Sequence, residues 1–277
     1  MLNAKTKNDV DQLLTQIQTA VENFRSSDKY LAYLKGMKHF RSYSIRNTIL
    51  IVNQNPGATR VAGFNAWKET GRKVKRGEHG LQILCPLTNK ISEEEKNDPS
   101  DPDFKIYGFR KGYVFDISQT EPIPGADVVN IHLCDELQGN VPNFEQLVAK
   151  LVEFSGIPVS FHDYASESKG YYSPSENCIV VQASMPETQK LKTLIHEVAH
   201  SMLHNPSEIA KRGLVSPDTK EVEAESTAFI VADWLGIDTS SYSVPYLTSW
   251  TEEGTDAVLK SLDYIKKASG KIIEALS

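Results

Sequence analysis

The sequence predicts an α+β protein built from two dissimilar parts. Three observations predict it. The chain has 277 residues, which at roughly 100–200 residues per domain suggests two domains or one large one. Its net charge of −6 hides an asymmetry: residues 1–120 carry 19 basic and 13 acidic side chains, while 121–277 carry 11 and 23. Within 25–90 the bias sharpens to 13 basic against 3 acidic. The periodic segments form a helical cluster followed by a pair of strands in the first part, and short strands among longer helices in the second.

The elements follow in order. Residues 8–25 read as a helix, with Leu13, Leu14, Ile17 and Val21 on one stripe and Asn8 or Asp9 as cap. Two further helices are expected at 28–38 and 43–54, the second stopping before Asn55-Pro56-Gly57. A short helix at 63–71 carries Trp67 and closes at Gly71. Residues 81–88 and 105–117 read as strands, joined by an acidic loop at 92–104. Residues 121–142, rich in proline and glycine, read as a linker between a domain at 1–120 and one at 143–277. The second domain is expected to contain a helix at 143–155, strands near 158–162 and 177–182, and helices at 187–204, 218–236 and 253–275. Its short mixed sheet should pack on the helix at 187–204, and the first domain should add a small antiparallel sheet to its helices.

Composition narrows the function classes. Apolar residues are 40 % and charged residues 24 %, which excludes a wholly disordered chain or a fibrous repeat. The longest aliphatic run, Ile49-Leu50-Ile51-Val52, is far short of the ~20 residues that a membrane span needs. The start, Met-Leu-Asn-Ala-Lys-Thr-Lys, has no apolar stretch behind its lysines, so no secretory signal is expected. Cys85, Cys134 and Cys178 are too scattered for a disulfide framework or a CxxC metal site. They read as ordinary thiols of a reducing cytoplasm.

The strongest chemical signal is His196-Glu197-Val198-Ala199-His200, inside an apolar-periodic segment. On a helix, positions i and i+4 share a face, so both imidazoles can reach one Zn²⁺. Glu197 sits beside them as the general base and acid for a metal-bound water. A third ligand is expected on a following helix, where Glu221 and Glu225 share a face. One of them can ligate the metal, and the other can accept a ligand histidine's N–H. Glu223 lies on another face and is the weakest candidate. Tyr171 and Tyr172 precede a strand-like run, Cys178–Gln182. An edge strand beside such a helix can pair with an extended peptide, and Tyr171 or Tyr172 can offer an oxyanion donor. His204 reads as a partly exposed histidine suited to the negative helix end. His39, His79, His132 and His162 are isolated.

The HExxH motif, the ExxxE at 221–225, Ala228-Phe229 and the apolar helix around them resemble the zincin-like peptidases of the ImmA/IrrE type over about 145–240. The resemblance implies a gluzincin-like site with ligands His, His and Glu. It makes His196, His200 and Glu221 the metal ligands and Glu225 the carboxylate behind a histidine. Glu225 stands where the family usually has Asp, so the reverse assignment remains the alternative.

The basic part carries a second resemblance. Tyr43-Ser44-x-Arg46-Asn47, Ala58-Thr59-x-Val61-x-Gly63, Trp67 and Gly71-Arg72-x-Val74-x-x-Gly77-Glu78-x-Gly80 resemble the N-terminal domain of ArdC-type antirestriction proteins. Val114–Thr120 and Asp238–Ser243 extend the likeness over most of the chain. It implies single-stranded DNA binding, residence on a bacterial mobile element, and protection of incoming DNA in the cytoplasm. The residues supply a physical reason. Arg41, Arg46, Arg60, Lys68, Arg72, Lys73, Lys75 and Arg76 can neutralise phosphates. Phe40, Tyr43, Phe64, Trp67, Tyr107, Phe109 and Tyr113 lie among them, and an exposed ring can stack an unpaired base. Tyr43, Arg46, Asn47, Arg60, Trp67, Arg72, Lys73, Lys75 and Arg76 are therefore the expected contacts.

Three functions fit: a DNA-binding module fused to a zinc peptidase-like domain, a regulatory protease that cleaves a protein substrate, or a non-enzymatic DNA shield with structural zinc. DNA is not the expected substrate of hydrolysis. Phosphodiester cleavage commonly uses two metals and more carboxylates.

Overall fold

Helix α1 (Ala4–Glu22) runs into a 3-10 turn at Asn23–Arg25, then α2 (Ser27–Met37) and α3 (Ile45–Gln54). Strand β1 (Val61–Ala62), helix α4 (Phe64–Glu69) and strands β2 (Arg72–Val74), β3 (Leu81–Lys90), β4 (Phe104–Asp116) and β5 (Thr120–Pro122) follow. Next come α5 (Phe144–Ser155), β6 (Val159–Phe161), β7 (Gly170–Ser173), β8 (Cys178–Val181), α6 (Glu187–Leu203) and α7 (Pro206–Arg212). The chain ends with α8 (Pro217–Trp234), α9 (Leu247–Glu252) and α10 (Thr255–Leu276). The computed structural model describes residues 4–40, 42–90, 104–125, 143–164, 168–237, 244–245 and 247–277. The expected acidic loop and most of the expected linker fall outside these residues, as do Arg41, His132, Cys134 and 238–243.

The fold is α+β and forms two compact units: Met1–Ala20 with Arg46–Asn130, and Val21–Ile45 with Ile131–Ser277. In the first, β3 and β4 make a long hairpin, pairing from Leu81↔Val114 to Lys90↔Phe104. The sheet order β1-β4-β3 leaves β3 at an edge. Unpaired strand edges expose backbone groups that want partners. Two side-chain amides of α3 supply them. Asn47 accepts from the Leu84 N–H at 2.8 Å and donates to its carbonyl at 2.9 Å. Gln54 does the same for Gln82, at 2.8 Å each way.

Asp116 ends β4 and is buried. Its carboxylate accepts from the N–H groups of Thr59, Arg60 and Ser118 at 2.9–3.0 Å. Burial pushes its pKa up, but those donors hold it below the usual range. Gly80 is required by contact: a Cβ there would come within 3.0 Å of Tyr113 and Phe115.

In the second unit β8 is central, parallel to β6 and antiparallel to β7. Apolar α6 and α8 residues such as Leu194, Ile195, Val198, Ala228 and Phe229 are fully buried. Each buried large side chain contributes about 1.5–3 kcal/mol. The α2 segment belongs to this core. Tyr30 is wholly buried, stacks edge-on against Trp250 at 5.3 Å, and shares a 2.8 Å hydrogen bond with the Ser226 hydroxyl. Lys38 pairs with Asp233 at 2.7 Å.

Candidate metal centre

Helix α6 places the motif. Leu191, Leu194, Ile195, Val198 and Ala199 bury its inner face, which leaves His196 and His200 as neighbours one turn apart. Helix α8 starts at Ser216, whose hydroxyl accepts from the Thr219 N–H, with Pro217 in the first turn. That start sets Glu221 one turn in, facing α6.

The three expected ligands converge. One ligand atom each from His196, His200 and Glu221 lie within 4.8 Å of one another. The two Nε2 atoms are 3.0 Å apart. The Glu221 carboxylate is 3.4 Å from His200 Nε2 and 3.7 Å from His196 Nε2. Tetrahedral Zn²⁺ with bonds of about 2.0–2.1 Å sets ligand atoms about 3.3 Å apart, so the donor set fits. Glu225 lies on the other side of His196, its Oε1 3.6 Å from Nδ1.

Electrostatics follow from burial. His196 is pushed down to about 4, first by burial and then by His200. Glu197 is buried and pushed up to about 7 by loss of solvent. Glu221 is held below its ordinary value, chiefly by the His200 imidazole beside it. The backbone N–H of Tyr172 hydrogen-bonds Glu197.

A cleft of about 780 Å³ opens over these groups, flanked by β7 at Gly170–Tyr172 and by Thr193. The edge strand beside the helix is β7; Cys178–Val181 is the middle of the sheet. The reason is that 170–173 folds back antiparallel onto β8, a pairing too short to show periodicity. Gly170 allows the approach: a Cβ would meet Thr193 Cγ2 at 2.6 Å and Glu197 Cγ at 3.4 Å. The Tyr172 hydroxyl is buried without a hydrogen-bond partner, and Tyr171 is exposed against Tyr164.

His204 corrects the expectation of an exposed helix-end histidine. It is buried, because α8 packs across the end of α6. Its Nδ1 is 2.9 Å from His200 Nδ1, and its Nε2 is 2.9 Å from Glu223. Glu223 in turn meets Arg212 at 2.6 Å. Arg212 is a site residue that sequence reasoning missed, and Glu223, the weakest ligand candidate, is instead the partner of His204. The i+8 spacing puts His204 on the face of His196, but only the packing of α8 shows that it is enclosed.

A model of the N-terminal domain of anti-restriction factor ArdC matches residues 5–115. A model of the IrrE N-terminal-like domain, a peptidase M78 family, matches 152–254. The crystal structure of metal-free antirestriction ArdC protein from the R388 plasmid superposes with a TM-score of 0.62, covering 94 % of this chain and 97 % of that one at 18 % identity. The chain joins an ArdC N-terminal-type domain to an IrrE-like domain in an ArdC-like fold. The Mn(II)-bound R388 ArdC structure gives a TM-score of 0.56 at 19 % identity, covering 85 % of each chain. At such identity the likeness is one of fold. An uncharacterized protein of Bacillus anthracis is 28 % identical over 92 % of this chain. The chain spans 48 % of that relative's length.

The expected DNA contacts separate into groups. Trp67 is buried and its indole N–H donates to the Phe115 carbonyl at 2.8 Å. It is a core residue and has no free ring face for stacking. Asn47 is likewise buried and committed to β3. Tyr43 belongs to the second unit. Arg72 donates to Thr120, Lys75 to the Ser118 carbonyl, and Lys73 pairs with Glu121 at 3.2 Å. Arg46 and Arg76 are exposed and Arg60 is half-buried. The exposed rings are elsewhere: Tyr113 at 52 %, Tyr107 at 58 % and Phe109 at 36 % on β4, and Phe64 at 47 % on α4. Phe109, Lys111 and Tyr113 alternate onto one face, and Phe64 continues the row, 6.2 Å from Phe115 with the Lys68 ammonium over its ring. Tyr107 sits at the register shift opposite Leu87 and Thr88.

Proposed function

We propose that this chain binds single-stranded DNA through its first unit and carries a zinc-dependent peptidase-like centre in its second, acting in antirestriction. The observation that carries the enzymatic half is the fit of the His196, His200 and Glu221 donor atoms to one tetrahedral ion. Bound zinc lowers the pKa of its water to about 7 and polarises a carbonyl.

The chain's own residues supply the rest. Glu197, with its pKa raised to about 7, is poised to take a proton near neutral pH and return it to a leaving amine. The Tyr172 amide fixes that carboxylate, and the Tyr172 hydroxyl is the candidate oxyanion donor. Glu225, 3.6 Å from His196 Nδ1, is the carboxylate placed to accept from that nitrogen when the ring serves as a ligand. Apart from the Tyr172 N–H taken by Glu197, the outer edge of β7 offers backbone groups to an extended peptide, which makes a protein segment the substrate class.

The DNA half rests on the ring row of β4 and α4, in a first part of the chain (1–120) that carries 19 basic against 13 acidic side chains. Rings stack bases without sequence preference, and cations follow the backbone. The R388 ArdC protein is described as antirestriction, and the same role is proposed here. No helix among the described residues is long and apolar enough to cross a membrane, which suits cytoplasmic DNA.

The test is a salt titration of the full chain against a fluorescent single-stranded oligonucleotide and its duplex, with metal analysis of the same sample. Preferential single-strand binding with a steep salt slope and one zinc per chain support the proposal. Absence of strand preference removes the DNA half, and absence of metal uptake removes the enzymatic half.

A further inference from the structure

We infer that His204, Glu223 and Arg212 form a positioning relay that decides which ring nitrogen of His200 carries the hydrogen, and so which nitrogen is free for a metal. The inference rests on the proposed reading of His200 as a ligand.

The relay is a line of four side chains. His200 Nδ1 is 2.9 Å from His204 Nδ1, and His204 Nε2 is 2.9 Å from Glu223 Oε2. Glu223 Oε1 accepts from Arg212 Nη2 at 2.6 Å, and Arg212 Nη1 donates to the Leu203 carbonyl at 3.1 Å. The side chains of His204, Glu223 and Arg212 are only 4 %, 0 % and 6 % exposed. Arg212 also lies over the Tyr264 ring, 3.7 Å from its centroid, so its position is fixed on two sides.

The donors and acceptors of this line allow only one placement of its hydrogens. Arginine only donates, and an ionised carboxylate only accepts. The hydrogen between Glu223 and His204 therefore sits on His204 Nε2. A neutral His204 protonated there presents a bare Nδ1. The hydrogen between the two Nδ1 atoms then belongs to His200. That leaves the His200 Nε2 lone pair bare, and Nε2 is the atom facing His196 and Glu221. The opposite tautomer would set two lone pairs against each other at 2.9 Å in a buried place. A ligand imidazole usually has its tautomer fixed by a carboxylate or carbonyl on its other nitrogen. Here a second imidazole stands between, and the carboxylate acts one ring further back.

The chain's topology explains why the device needs three segments. His204 ends α6, Glu223 lies on α8, and α7 carries Arg212 at its last turn. Gly213, with φ of +85°, lets the chain leave α7 directly after Arg212.

The experiment is histidine ¹⁵N NMR on the full chain, stripped of metal at pH 8, followed by a zinc competition titration. The wild type is expected to hold His200 as the Nδ1–H tautomer before any metal is added. His204→Leu should move it toward Nε2–H and weaken zinc binding about 10–100-fold. His204→Asn, whose carbonyl can accept from the same Nδ1–H, should recover much of that loss. If His204→Leu does not fold, Glu223→Gln serves in its place, because an amide can donate to His204 and reverse the line. A wild-type His200 in the Nε2–H form overturns the relay, and so does a tautomer indifferent to both variants. If the tautomer responds but the wild type takes up no zinc, the metal reading fails and the relay stands.

Discussion

The backbone N–H of Tyr172 hydrogen-bonds the carboxylate of Glu197. The edge strand proposed to pair with a peptide is thereby tied to the proposed general base. Moving one moves the other, so strand position and base position form one geometric unit.

Gly170→Ala tests that unit. Its Cβ would meet Thr193 Cγ2 at 2.6 Å and the Val180 carbonyl at 3.0 Å, neither of which yields cheaply. We expect about 1–3 kcal/mol of destabilisation in a denaturant melt. Peptide hydrolysis should fall further than the stability loss explains, while zinc uptake persists.

Glu197→Gln separates metal binding from chemistry. Zinc uptake should survive, and hydrolysis should fall about 10²–10⁴-fold in a peptide-cleavage assay. Retained hydrolysis would remove Glu197 from the mechanism.

The same substitution has a signed pH effect on the metal-free chain. The pKa of Glu197 rises from 4.5 unfolded to about 7 folded, so the folded state holds its proton more tightly. Above pH 7 the buried charge costs up to about 3 kcal/mol, and below pH 4.5 it costs nothing. Glu197→Gln should therefore stabilise the chelator-treated chain at pH 8 and leave it unchanged at pH 4.5. Urea melts at the two values decide it.

Glu221 and Glu225 should differ. Glu221→Ala removes a donor atom 3.4 Å from His200 Nε2 and should abolish tight zinc binding. Glu225→Ala removes a group near the far side of His196 and should weaken it about 10–100-fold. A competition titration ranks them; the reverse order would make Glu225 the ligand.

On the DNA side, Tyr113→Ala and Phe109→Ala should each cost about 1–3 kcal/mol of single-strand affinity with the salt slope unchanged. Arg76→Ala should lower the slope by about one. Trp67→Ala should instead unfold the first unit, by about 3–5 kcal/mol, because Trp67 is core. Fluorescence anisotropy at several salt concentrations, with melts alongside, distinguishes the three.

Much of the fold was legible in local pattern. The helices around Leu13 and Ile17, around Leu194 and Val198, and around Ile265 and Ile272 announce themselves by apolar spacing. The β3–β4 hairpin does so by its length. β7, α7 and α9 were not legible, being short and carrying no apolar run such as the Ile-Val-Val of β8. Nor could charge and ring counting tell Trp67 from Tyr113. Both are aromatics in a basic stretch, and only packing buries one and exposes the other.

Local spacing was enough to name the donor side chains of the candidate metal centre. His196, Glu197 and His200 are bound to one helical face by the 3.6-residue period, and Glu221 and Glu225 share another. Tertiary structure decided what local spacing cannot encode, because it depends on which helices cross. It put Glu221 against both Nε2 atoms and Glu225 against Nδ1. It brought β7 to the cleft, and it buried His204 between His200 and Glu223. A histidine at a helix end is solvated or enclosed according to its neighbours in space, and here α8 supplies the carboxylate that makes enclosure affordable.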